Sequence, residues 1–131
     1  MTTKQQLPVP PPEWPGTVPE YMVFIELLRR GKRHGVDFFY QSNFLGGRTQ
    51  RGGAVIDFTF ADPPDLAINV QGSYWHKGVG IDARDKMVAA QLAGQGITLI
   101  LMDEDDIYTD VRYYVSEALQ YRDHSRVGRG G

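Results

Sequence analysis

AVIDFTFADPPDLAINVQGSYWH, residues 54–76, decides how the rest of the chain is read. Two β-patterned runs, Ala54–Phe60 and Leu66–Gln71, flank the turn Ala61-Asp62-Pro63-Pro64-Asp65. Each run carries polar residues where a buried strand prefers apolar ones: Asp57 in the first, Asn69 and Gln71 in the second. Side chains repeat every two residues along a strand, so Asn69 and Gln71 share a face. Gly72-Ser73-Tyr74-Trp75 then delivers His76 just beyond the second strand. A carboxylate, two amides and an imidazole converge on one end of a small sheet. An aspartate in an otherwise apolar strand is costly to bury unpaired, which favours a functional reading of Asp57 over a strand-edge acid bonded to a turn.

Outward from this stretch the chain reads as one α/β unit in the order αβββαβα. Thr17-Val18-Pro19-Glu20 has the form of a capping box that opens a helix running to Arg30, with Gly31 as its terminator. Residues 36–41 form an aromatic first strand, and the glycine-rich 42–53 a connection carrying Arg48 and Arg51. After residue 71 comes a helix from Asp82 to Leu92, then a continuously apolar strand, Ile97–Met102, fit for burial on both faces. The acidic run Asp103–Asp106 precedes a last helix, Ile107–Tyr121. That run lacks the glycine and distal glutamate of an EF-hand loop, so it reads as a solvated helix start. A meander followed by a strand–helix–strand crossover makes a mixed sheet flanked by helices.

Composition bounds the function. The 131 residues are 41% hydrophobic and 23% charged, carry a net charge of −2 and include no cysteine. That is ordinary for a soluble globular domain, excludes disulfides and thiolate metal sites, and gives no bulk basic signal for nucleic acid. No apolar run has the roughly 20 residues needed to span a bilayer, and the N-terminus lacks a signal-peptide core. The expected location is cytoplasmic, or virion-associated for a phage protein. The proline-rich residues 1–16 read as an extended arm with Trp14 as its anchor, 17–121 as the domain, and 122–131 as a flexible tail.

The element order and the site residues resemble the restriction-endonuclease-like (PD-(D/E)XK) nuclease superfamily, most closely its very-short-patch mismatch repair branch. That branch carries a hydrophobic–x–x–Gly–x–aromatic–Trp–His motif after its central strand, and Val70-Gln71-Gly72-Ser73-Tyr74-Trp75-His76 is similar to it. The resemblance covers roughly residues 17–107. It implies a Mg²⁺- or Mn²⁺-dependent endonuclease that hydrolyses DNA phosphodiester bonds by nicking or structure-specific cleavage. Asp57 and the main-chain carbonyl of Val70 correspond to metal ligands, Glu20 to the glutamate of the first helix, and His76 to a histidine near the scissile phosphate. The helix bearing Arg84 corresponds to the family's arginine helix.

Departures from the pattern set the alternative. Asn69-Val70-Gln71 stands where the general superfamily has Glu-x-Lys, and Gln71 replaces the first of the branch's two histidines. Asn69 and Gln71 are therefore either site residues or polar groups on a solvated face. The capping box alone accounts for Glu20, and that role is compatible with catalysis. Arg48, Arg51, Lys77, Arg84 and Lys86 are candidate phosphate contacts or solvated surface charges, and Arg84 is equally placed to pair with an acid. Tyr74 and Trp75 suit base stacking or core packing. The alternative is a nuclease fold without cleavage that binds DNA or serves in assembly, for instance of a phage particle, with the arm as a docking segment. A plain interaction domain ranks third. A homo-oligomer is compatible with a two-site activity.

Overall fold

The computed structural model of the chain describes residues 8–43, 55–72 and 87–126. Helix α1, Val18–Arg29, begins as the sequence predicts: the Thr17 side chain accepts from the Glu20 N–H, and the Glu20 side chain accepts from the Thr17 N–H. Pro19 occupies the first turn, where its missing N–H leaves no carbonyl unpaired. The helix closes at Arg30, and Gly31 follows at φ +86°, a conformation open to glycine. Its buried face carries Met22, Val23 and Leu27.

Strands β1 (Phe38–Asn43), β2 (Val55–Phe60) and β3 (Leu66–Gln71) form the antiparallel meander. Strand β1 starts two residues later than predicted because residues 33–37 are a turn. There the Asp37 carboxylate accepts from both the backbone N–H and the guanidinium of Arg33. A helix α2, described over 87–93, crosses to β4 (Thr98–Asp103), which pairs parallel with β3 from Leu66–Thr98 to Gln71–Asp103. Helix α3, Glu104–Ala118, starts three residues earlier than predicted: Asp103 is its N-cap, and the acidic run fills its first turn. Acidic side chains there face the positive end of the helix dipole. The sheet order is β1-β2-β3-β4, so the predicted α/β order αβββαβα and mixed sheet are what the chain adopts.

Two cores separate the layers. On one face Phe38, Phe58, Ile68 and Met102 pack against α1 and α3 through Val23, Leu27, Ile107 and Val115. On the other, Ile56 and Ala67 pack against Val88 and Leu92 of α2. Ile56 and Phe58, two residues apart, thus lie on opposite faces, where a regular strand would put them on the same one. The alternation of β2 changes phase at Asp57.

Residues 122–126 differ from the predicted flexible tail. The Asp123 carboxylate accepts the Leu101 N–H at 2.9 Å on the outer edge of β4, Asp103 accepts the Arg126 N–H at 3.0 Å, and Ser125 is buried. An edge strand presents unpaired N–H groups, and this segment satisfies one of them. Among the described residues no helix is long and apolar enough to cross a membrane.

Candidate functional site

The sheet is irregular where the predicted site lies. The β1–β2 ladder pairs Tyr40 with Phe58 and Ser42 with Ile56 but skips Gln41 and Asp57, and Gln41 has φ +58°. The β2–β3 ladder ends at Phe58–Ile68. Beyond it, side chains replace the main-chain rungs. The Asp57 N–H donates to Asn69 Oδ1 at 2.8 Å, and the Val70 N–H donates to Asp57 Oδ2 at 2.8 Å. These two bonds close the gap between the strands and hold the carboxylate half-buried within it.

The phase change brings Asp57 under the influence of Glu20 on α1. Burial, and then the Glu20 charge, push the Asp57 carboxyl up to about 7, against the opposing pull of the Val70 N–H. Glu20 is itself buried. Its Oε1 receives the Tyr40 hydroxyl at 2.6 Å, and burial together with Glu20 raises the Tyr40 hydroxyl above its usual range, so it stays protonated as the donor. Trp14 stacks on Tyr40 with ring centroids 4.5 Å apart, and its indole N–H donates to the Thr17 carbonyl at 3.1 Å. Gly16 lies against the same pair: a Cβ there would fall on the Tyr40 hydroxyl and Glu20 Oε1.

Of the predicted site residues, the structure brings together Asp57, Asn69 and Val70, and Glu20 lies close enough for its charge to act on Asp57. Asn69 serves differently from the expectation of a chemical group: its side-chain oxygen is engaged by the Asp57 backbone. Gln71 pairs through its backbone with Asp103 and is half-buried, with no side-chain bond among the described residues. His76 and the candidate phosphate contacts Arg48, Arg51, Lys77, Arg84 and Lys86 lie outside the described residues, as do Tyr74 and Trp75. Sequence reasoning missed Tyr40 and Gly16. The signal for Tyr40 was its position in β1, two residues after the core residue Phe38 and hence on the α1 face. Among the described residues no cluster of three or more His, Asp or Glu gathers. A separate cleft between α1 and α3, lined by Met22, Ile25, Ile107 and Val111, contains none of the predicted site residues.

The chain has the fold of a known nuclease domain. It is similar to the solved structure of the homing endonuclease I-Bth0305I catalytic domain, with a TM-score of 0.56 over 81% of this chain and 97% of that one, at 19% sequence identity. No family model matches the chain, and no curated protein matches it.

Proposed function

We propose that the protein is a Mg²⁺- or Mn²⁺-dependent DNA endonuclease related to the very-short-patch repair branch, with Asp57 as its central metal ligand. The observation that carries this reading is the Asp57 carboxylate set at a break in the β2–β3 ladder, within electrostatic reach of a second buried carboxylate, Glu20. One Asp57 oxygen takes the Val70 N–H, and the other has no hydrogen-bond partner among the described residues. A desolvated carboxylate with an oxygen to spare, under the charge of another acid, suits a hard cation. Mg²⁺ accepts one or two carboxylates and completes its shell with water and phosphate oxygens, so a three-residue acidic cluster is not required. In a strand, the N–H and C=O of one residue face the same neighbour, so the Val70 carbonyl points to the Asp57 side, where it would serve as a second ligand.

A bound divalent ion would supply charge stabilisation at the phosphoryl oxygens and an acidified water. The chain's own groups do the remaining work in this reading. Asp57 and the Val70 carbonyl would hold the ion. Glu20 orients a water, which gives up a proton to solvent as its oxygen bonds to phosphorus and the bond to the leaving oxygen breaks. His76 gives that leaving oxygen its proton, since an imidazole titrates near neutral pH. Asn69 keeps Asp57 aimed, Gln71 borders the site, and Arg48, Arg51, Lys77, Arg84 and Lys86 neutralise DNA phosphates.

A second reading has one observation in its favour. Asn69, where the superfamily carries a carboxylate, spends its oxygen on the Asp57 backbone rather than on an open position. A nuclease fold that binds DNA or takes part in an assembly without cleaving would show the same bond. The test is cleavage of supercoiled plasmid and branched DNA with Mg²⁺ or Mn²⁺, wild type beside Asp57→Ala. Metal-dependent nicking that the substitution abolishes is the expected result. DNA binding without cleavage by the wild type would replace the enzyme reading with the second one.

A further inference from the structure

Two buried glutamates on α1 are treated differently. Glu26 takes the guanidinium of Arg30 at 2.9 Å and of Arg29 at 3.5 Å, the usual way to keep a buried carboxylate charged. Glu20, also buried, pairs with no Lys or Arg among the described residues and receives only neutral donors, the Thr17 N–H at 3.3 Å and the Tyr40 hydroxyl at 2.6 Å. Both donors land on Oε1. The capping box needs only the first of them. The second holds the carboxylate's rotation and leaves Oε2 without a hydrogen-bond partner among the described residues, and it does not cancel the charge as an arginine would.

We infer that Tyr40 is a positioning residue: locked by the Trp14 ring and admitted by Gly16, it aims the carboxylate of Glu20 at the cation site of Asp57. The inference rests on the nuclease reading for its setting and deepens it, because it makes residues 14–16 part of the site. A purely structural tyrosine would serve as well with any neighbour that filled its ring volume. Here the hydroxyl contact is shorter than either capping bond, and the glycine that permits it has no positive φ to explain its presence.

The test is Mn²⁺ binding to the full chain by titration calorimetry, beside Mn²⁺-dependent cleavage, for wild type, Tyr40→Phe, Glu20→Gln and the double variant. Tyr40→Phe keeps the ring on Trp14 and removes only the hydroxyl. The expected result is a loss of Mn²⁺ affinity of about tenfold in each single variant, the size of one hydrogen bond to a charged group, and no further loss in the double. Gly16→Ala, which leaves both groups present but displaced, reproduces the loss and carries the test if Tyr40→Phe melts too low to assay. Wild-type affinity in Tyr40→Phe, additive losses in the double variant, or no Mn²⁺ binding by the wild type would each overturn the inference. Mn²⁺ binding that depends on Tyr40 in a protein that cleaves nothing would sustain it while ending the nuclease reading.

Discussion

Asp57 and Asn69 face each other across β2 and β3, but the backbone of one is bonded to the side chain of the other: the Asp57 N–H donates to Asn69 Oδ1 at 2.8 Å. That bond stands in for a rung the ladder lacks beyond Phe58–Ile68, and it fixes where the Asp57 carboxylate points. Asn69→Ala leaves the Asp57 N–H unsatisfied in a half-buried gap, which costs about 1–3 kcal/mol. Urea unfolding should register that loss. If the protein is the nuclease proposed above, metal-dependent cleavage should fall by more than the unfolded fraction explains, because the carboxylate loses its aim. Unchanged stability would mean that water takes over the bond and that Asn69 is not the clasp.

Asp57 ionises reluctantly, and this makes stability depend on pH with a defined sign. Its carboxyl is raised from the ordinary carboxylate range to about 7 in the folded chain, by burial and by Glu20. Between about pH 4 and pH 7 the folded chain therefore holds a proton that the unfolded chain has released. The Asp57 contribution is best below that window and declines as pH rises through it, by about 2–4 kcal/mol in all. Asp57→Asn retains an oxygen for the Val70 N–H and cannot ionise. In the absence of divalent ions it should be more stable than wild type at pH 8, with the gap closing toward pH 5. Urea denaturation at the two pH values checks this, and a gap of equal size at both would remove the ionisation argument.

Much of this arrangement was legible in the sequence, and the limits have physical causes. The capping box of α1, the apolar β4 and the Asp62-Pro63-Pro64 turn between β2 and β3 are local signals, and local chemistry decided them. Asp57 stood out because a charged residue in an apolar strand conflicts with its neighbours. Asn69 was visible as anomalous, but its partner was not. Period-2 alternation assigns faces only while a strand is regular, and β2 changes phase at Asp57 itself. Tyr40 and Gly16 were hidden for another reason. Their meaning lies in contacts across 20 and 4 residues with Glu20, and an aromatic strand residue and a glycine after a proline have ordinary local explanations.

Gly16 offers a sharp check on packing at the end of α1. A methyl group there would collide with both the Tyr40 hydroxyl and the Glu20 carboxylate, two groups held by a short bond and a ring stack. Gly16→Ala should destabilise the fold by about 1–3 kcal/mol, the ordinary cost of overpacking a well-filled site. Restoring space with Tyr40→Phe in the same chain should recover part of that loss, because one of the two colliding atoms is gone. Thermal melts of the two single variants and the double measure the coupling. Strictly additive losses would show that the methyl group is accommodated by backbone movement instead.

Residues 122–126 cover part of the opposite edge of the sheet. Strand β4 pairs with β3 on one side, and on the other its Leu101 N–H is taken by Asp123 Oδ2 at 2.9 Å. The second Asp123 oxygen accepts the Ser125 N–H at 2.8 Å and hydroxyl at 2.6 Å, so one carboxylate folds the segment and caps the edge together. Asp123→Ala removes an acceptor from three donors and should cost about 1–3 kcal/mol, while Asp123→Asn keeps an oxygen for Leu101 and costs less. An uncapped edge also offers a template for another strand. The alanine variant should therefore associate more readily on gentle heating than the asparagine variant, as light scattering would record. Equal stability and equal scattering in the two would show that the edge is protected by other parts of the chain.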